Sequence, residues 1–323
     1  MEISFIIILI INLMIVKFNY KFFKIVGIYD YPNEKRKIHQ VPISLAGGSI
    51  ILINFIVASL ILDNGFMVYD NLLIVIFSIL FYLVGYLDDK NNIRPLKKTL
   101  LNILLITIFL YISEIHIIDS LKSLYFPNTF YLGSYSLIFT IFCFIAFLNA
   151  LNMYDGINGQ SGVYLLFLFL YLLFLTKNIF FLSLILPTLF FLYLNFKNKC
   201  FLGNSGVNFI CFVILIFFIN TYQSNFFKSV DEILILMLLP GIEMMRLFFF
   251  RIINLKSPFE ADKNHLHHLL LEFLNSKKVV CVTSAFSILP IIFFYFFNFT
   301  YLVIVFFLIL YFSILFFLHR KLI

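Results

Sequence analysis

The sequence predicts an all-α, polytopic transmembrane bundle of about eleven spans (ten if the fourth is left out), forming one integral-membrane domain over residues 1–323. Its N-terminus is expected outside and its site on the cytoplasmic face. Three observations carry this. Only 12% of the residues are charged and 63% are hydrophobic, with a mean hydropathy of +1.05, whereas soluble domains run near a quarter charged. The apolar residues come in runs of about 17 to 22, long enough to cross hydrocarbon as helices and apolar on all sides. The basic residues fall almost entirely on one set of alternate loops.

The spans fall at 3–20, 44–62, 70–87, 99–114, 134–151, 160–176, 178–196, 206–222, 230–250, 279–297 and 300–318. The first begins after Glu2 and is followed by Lys17, Lys21 and Lys24, the reverse of a cleavable signal peptide. It therefore reads as a span with its N-terminus outside. The fourth is the least regular, because Glu114 and His116 interrupt its end. With that orientation, one set of loops holds Lys122, Lys177 and Lys228. The other set and the C-terminal tail hold the remaining 20 of the 23 basic residues, which places them in the cytoplasm. The same split explains the net charge of +7 without any nucleic-acid partner. Cys143, Cys200, Cys211 and Cys281 form no CxxC pair, so neither a disulfide framework nor a cysteine zinc site is expected. The 46 Phe and 18 Tyr are read as lipid-facing and core filler, and His116 and His319 as interfacial residues.

The cytoplasmic loops carry nearly all the special chemistry. The second, "DDKNNIRPLKK" at residues 88–98, places Asp88 beside Asp89 at the end of an apolar run. Two carboxylates about 6 Å apart repel by roughly 3 kcal/mol at an effective dielectric near 20. A divalent cation or clustered lysines would relieve that, and hard carboxylate oxygens suit Mg²⁺ shared with substrate phosphates. The third loop, "NALNMYDGINGQSG", spaces Asn149, Asn152, Asp155 and Asn158 three apart, on one face of a helix end, with Gly156 and Gly159 allowing close approach to a ligand. In the fourth, "FLGNSG", Asn204 or Ser205 can cap the next helix, or the backbone can form an anion nest with Asn204 as an oxygen ligand.

The fifth loop spans residues 251–278. Leu266, Leu269, Leu270, Phe273 and Leu274 predict an amphipathic helix on or against the membrane, with His265, His268 and Glu272 on its other side and His267 near that face. Without cysteines or a second histidine-rich element, zinc is disfavoured. Phosphate binding by the histidines, with Arg251, Lys256 and Lys263 nearby, fits better.

Five motifs in order, "RKIHQVPISLAGG", "GYLDDK", "NALNMYDGING", "FLGNSG" and "KSPFEADKNHLHH", resemble the polyprenyl-phosphate N-acetylhexosamine-1-phosphate transferases, and the last looks like the branch acting on a UDP-N-acetylhexosamine. The resemblance implies a bacterial cytoplasmic-membrane enzyme. In the implied reaction, the phosphate of a polyprenyl phosphate attacks the β-phosphorus of the UDP-sugar. UMP leaves and a polyprenyl-diphosphate-sugar remains, with Mg²⁺ (or Mn²⁺) bridging the diphosphate. It further implies catalytic roles for Asp88, Asp89, Asp155, His265, His267 and His268, one of the paired aspartates holding or activating the lipid phosphate. Substrate contacts would come from His39, Asn149, Asn158, Arg251, Lys256 and Lys263, and metal contacts from Asp89, Asn152 and Asn204. A homodimer is compatible with it.

Three positions depart from the family's usual pattern. Asn204 stands where Asp is usual, Asn158 where many bacterial members have a second Asp, and Glu243 where Asp is common. A neutral amide is a weaker Mg²⁺ ligand than a carboxylate. That motivates an alternative: a non-enzymatic lipid-phosphate binder or transporter of the same fold, with Glu243 and Arg246 as its ionisable pair within a span.

Overall fold

The computed structural model describes residues 2–32, 39–62, 70–126, 128–258, 262–297 and 299–322. Along the chain run α1 (Glu2–Lys17), α2 (Asn19–Val26), α3 (Gly47–Ile61), α4 (Asn71–Asn91), α5 (Pro95–Ile112), α6 (Ser136–Tyr154) and α7 (Gln160–Thr176). They are followed by α8 (Leu182–Phe196), α9 (Gly203–Gln223), α10 (Val230–Leu236), α11 (Leu238–Ile253), α12 (Leu266–Leu271), α13 (Ser276–Phe297) and α14 (Thr300–Leu322). Each expected span contains a helix. Among the described residues, seven helices are long and apolar enough to cross a membrane, or nine if each of two bent pairs is one span. The apolar α3 and α7 are shorter, at 15 and 17 residues. The chain is a multi-pass helical membrane protein.

Two expected spans are broken. Between α1 and α2 the chain turns by 89°, and between α10 and α11 by 71°. The first break leaves α2, with Lys21, Lys24 and the buried Phe23, as a short amphipathic helix set across the end of α1. The expectation of purely helical structure also misses four two-residue strands. β1 (Tyr29–Asp30) pairs antiparallel with β2 (Ile43–Ser44), and β3 (Ser120–Leu121) with β4 (Phe130–Tyr131). They arise because loop backbone needs partners where helices end. At one end of the bundle, β2 is extended by Phe201 N–H to Ser44 O (2.8 Å), while Gly47 and Gly48 donate to Phe201 O and Leu202 O. The first and fourth loops are thereby stitched together.

The buried centre is α9, whose span is 89% buried, against 28–61% for the other long spans. Small residues let its neighbours close on it, as membrane helices require in the absence of a hydrophobic driving force. A Cβ on Gly85 of α4 would collide with the Asn204 carbonyl, and one on Gly48 of α3 would collide with the Gly206 backbone. Above this contact, Phe81 and Phe109 pack on Phe212 of α9 at 4.8 and 4.9 Å, and Phe144 packs on Phe81 at 5.0 Å. Much of the phenylalanine load is thus core. A buried amide pair, Asn12 Nδ2 to Asn54 Oδ1 at 2.8 Å, joins α1 to α3, a contact worth roughly 0.6 kcal/mol in a membrane interior.

The five motif-bearing loops meet at one end, around one cavity. At the other end, Val230 N–H bonds Lys122 O (2.9 Å) and Gln223 reaches Ile115 O (2.8 Å). His116 lies there and is not interfacial: it is 1% exposed, beside Phe109, with Nδ1 2.7 Å from Ser113 Oγ. Burial pushes its pKa down to about 4. Ser113 Oγ also bonds Asp70, whose carboxylate is 3.8 Å from the same Nδ1. A relay needs serine and aspartate on opposite ring nitrogens, so this Ser–His–Asp group fastens the end of α5 and is no catalytic triad. The side chain of His319 and residues 63–69, between α3 and α4, lie outside the described residues.

Candidate active site

The motif end encloses a cavity of about 1150 Å³. Into it come Asp88 and Asp89 from α4, Lys98 from α5, Asn149 and Asn152 from α6, Asp155 and Asn158 from the turn after α6, Asn204 from α9, and His265, His267 and His268. His39 and Arg251 line it as well. Of the first and fifth motifs, residues 36–38 and 259–261 lie outside the described residues.

The adjacent aspartates diverge, Asp88 to an ammonium and Asp89 to a pair of backbone N–H groups. Asp88 Oδ2 lies 2.9 Å from Lys98 Nζ, and its Oδ1 accepts from Ile93 N–H at 2.9 Å. Asp89 accepts from the backbone N–H groups of Asn204 (2.8 Å) and Ser205 (3.0 Å). The fourth loop does form the expected anion nest at a helix N-terminus, and the anion it holds is the protein's own Asp89, favoured there by the helix dipole. Neither Asn204 nor Ser205 caps α9 with its side chain. Asn204 Oδ1 instead accepts from Lys98 Nζ at 2.8 Å.

Lys98 is the site residue that the motifs alone did not single out. It is 8% exposed, and its ammonium bridges Asp88 and Asn204. The signal was present: Lys97 and Lys98 close the "DDKNNIRPLKK" loop, and Pro95 at the start of α5 sets a helical turn that carries the second lysine back over the aspartates.

On the facing wall, α6 ends at Tyr154. Asn149, Asn152 and Asp155 share one face as expected, while Asn158 lies past the helix and bonds Asn198. Asn149 Nδ2 donates to Ile145 O at 2.8 Å, which leaves its oxygen for the cavity. Asp155 accepts from Ser161. Burial raises the Asp155 pKa to about 6, with the charge of Asp89 adding to it and the serine opposing it. The two glycines admit protein side chains, not a ligand as expected. A Cβ on Gly156 would sit inside the His267 imidazole, and one on Gly159 would meet the Phe196 ring.

The fifth loop is not a membrane-surface helix. α12 has only six residues, and Leu266, Leu269 and Leu270 are buried in the protein core beside α13 and α14. Phe273 and Glu272 are exposed. The three rings cluster, with His267–His268 centroids 4.4 Å apart and His265–His267 5.2 Å apart. Burial lowers the His265 pKa to about 4, and burial with the two neighbouring imidazoles takes His267 well below its usual value. Both are neutral at physiological pH and present N–H donors without charge. Arg251 lines the cavity, but its guanidinium is buried and engaged by the loop itself. Its Nε lies 2.9 Å from Asp262 Oδ2, and its Nη1 donates to Pro258 O at 2.6 Å. Lys256 and Lys263 are exposed and do not line the cavity. His39 Nε2 lies 3.4 Å from Asp30, with its ring edge against Phe201.

The donor set can be tested against a hard divalent cation. Among the described residues, no three His, Cys, Asp or Glu side chains converge into a cage, so a cation here would take carboxylates, amide oxygens and ligand oxygens, as Mg²⁺ sites commonly do. Asp89 and Asp155 repel each other, which a cation between them relieves, and Asn152 is exposed to the cavity on the same wall as Asp155. These three fit. Asn204 fits less well than expected, because its oxygen faces an ammonium that repels a metal ion.

Comparison with known proteins agrees with the motif reading. The profile of glycosyl transferase family 4 matches residues 71–222, from α4 to the end of α9. The chain is 27% identical over 280 residues to the undecaprenyl-phosphate alpha-N-acetylglucosaminyl 1-phosphate transferase of Salmonella typhi, covering 82% of this chain and 75% of that protein. It is 26% identical to the protein of that name from Escherichia coli strain K12, covering 82% and 76%. Against the one from Haemophilus influenzae it is 29% identical, covering 76% and 72%. The resemblance stated from five motifs is therefore borne out over most of the chain.

Proposed function

We propose that this chain, matched to glycosyl transferase family 4 over residues 71–222, from α4 to α9, transfers N-acetylglucosamine 1-phosphate from UDP-N-acetylglucosamine to undecaprenyl phosphate. UMP is the other product, and the step opens the synthesis of a cell-surface polysaccharide at the bacterial cytoplasmic membrane. The observation that carries the reading is the meeting of three aspartates, a buried lysine and three histidines in one cavity at the ends of membrane helices. Such a site serves a substrate that is half lipid and half phosphate.

The residues divide the work. Lys98 is the fixed positive charge nearest the paired aspartates and receives a phosphate oxygen by exchange with Asn204. His265 and His267, held neutral by burial, donate N–H groups to diphosphate or sugar oxygens. Asp155, with a pKa of about 6, is ionised at neutral pH and, with the charge of Asp89 beside it, suited to hold a cation rather than a proton. Asp89, Asp155 and Asn152 would hold Mg²⁺ or Mn²⁺. Bound there, the metal would neutralise charge on the diphosphate as a Lewis acid.

The test is UMP release by purified protein in detergent with undecaprenyl phosphate and UDP-N-acetylglucosamine. Release that needs the lipid, stops with EDTA and is lost in Asp155→Asn supports the proposal. Silence across a panel of UDP-N-acetylhexosamines, with protein that still binds the lipid phosphate, overturns it in favour of a non-enzymatic binder.

A further inference from the structure

We infer that Glu243, Arg246 and Tyr311 are positioning residues that hold the histidine-bearing loop in register from outside the cavity, and that the last span, α14, thereby takes part in the site. The inference rests on the proposed transferase reading for its kinetic consequences, but not for its geometry.

Two groups of α11 bond the backbone flanking His265, and a third from α14 braces them. The Glu243 carboxylate on α11 accepts from Leu266 N–H at 2.7 Å and from Arg246 Nη2 at 2.9 Å through Oε1. Its other oxygen takes the Tyr311 hydroxyl of α14. Arg246 Nη2 also donates to Asn264 O at 2.7 Å, and its Nε donates to Tyr311 Oη at 2.6 Å. One carboxylate, one guanidinium and one phenol therefore fix the residue before His265 and the residue after it. None of the three lines the cavity. Glu243 is 4% exposed and Tyr311 1%, so they touch no substrate and act through the loop.

The depth of the anchor explains why the loop needs it. Glu243 precedes the end of α11 at Ile253 by ten residues, about 15 Å of helix at 1.5 Å per residue. The chain leaves α11 at its end and returns that far along it to place His265. The return sets the backbone beside buried His265 and Leu266 against α11, where a helix bundle offers few polar partners. Arg251 pins the upper part of the loop at Pro258 and Asp262, and the Glu243 cluster pins its lower end. The planar fork of Arg246 serves three acceptors at once, a geometry that a lysine cannot reproduce. A fully paired glutamate also accounts for the ionisable residue within a span without a transport role.

The experiment compares wild type, Tyr311→Phe and Arg246→Lys in detergent by melting temperature, hydrogen exchange over residues 262–268, and UMP-release kinetics. Tyr311→Phe keeps the ring and removes one hydroxyl. Both variants are expected to melt within a few degrees of wild type and to exchange faster in this segment alone. The kcat should fall about tenfold with KM for UDP-N-acetylglucosamine within about threefold, since a displaced catalytic group costs rate before it costs binding. Wild-type exchange over 262–268 in both variants would overturn the inference whatever the activity. So would restoration of wild-type kcat by lysine at 246, or activity lost only in proportion to folded protein. Absence of UMP release from the wild type would count against the transferase reading, and the exchange data would still decide the positioning role.

Discussion

At the residue scale the most consequential pairing is Lys98 with Asp88 and Asn204. Lys98→Met leaves Asp88 buried with one N–H partner. Removing one member of such a contact costs about 3 kcal/mol of stability, and UMP release by the protein that still folds should fall tenfold or more, because the ammonium proposed to receive the phosphate is gone. Asn204→Asp alone is expected to form an ion pair with Lys98, with Mn²⁺ affinity by electron paramagnetic resonance unchanged within about threefold. Combining it with Lys98→Met should raise that affinity by tenfold or more, a coupling that independent sites would not give. Asp155 offers a pH test. Its carboxyl is raised to about 6, so an activity needing the anion should fall with one proton as pH drops through that value. A bound divalent cation favours the anion, so the limb in kcat/KM should move to lower pH as Mg²⁺ is increased. Most of these residues were legible in the sequence, because carboxylates, amides and histidines are conspicuous in an apolar chain. Their partners were not. Lys98 reads as one of many basic residues beside the membrane, and Arg251 reads as a phosphate ligand, because no spacing marks Asp262, eleven residues on, as its carboxylate partner.

At the element scale, helix existence was legible and helix ends were not. An apolar run says that a span exists, but the 89° turn after α1 and the 71° turn after α10 depend on what each helix meets. The leucine stripe at 266–274 had helical spacing, yet spacing cannot distinguish a lipid surface from a protein core, and the core won. Close contacts between elements give the sharpest test. A Cβ on Gly156 would enter the His267 ring. Overpacking of this kind costs typically about 1–3 kcal/mol. Gly156→Ala should therefore displace the histidine, lowering kcat by tenfold or more while the melting temperature in detergent falls by only a few degrees. Unchanged turnover would show that His267 need not occupy its observed place.

At the scale of the whole molecule, alternation of loops is what the sequence conveyed best. The strong bias of lysine and arginine to one set of loops distinguishes the motif end from the opposite end, and the structure gathers the motif-bearing loops around one cavity. What sequence could not supply was depth, namely how far the histidine loop descends along α11 and how closely α9 is enclosed. In the proposed reaction the lipid receives a sugar together with its phosphate. The most direct test supplies purified protein with undecaprenyl phosphate and UDP-N-acetylglucosamine labelled with ³²P in the β-phosphate, then separates lipid from water. Label is expected in the lipid, matched one to one by UMP in the aqueous phase. Label retained in aqueous UDP while the sugar alone moves to the lipid would contradict it.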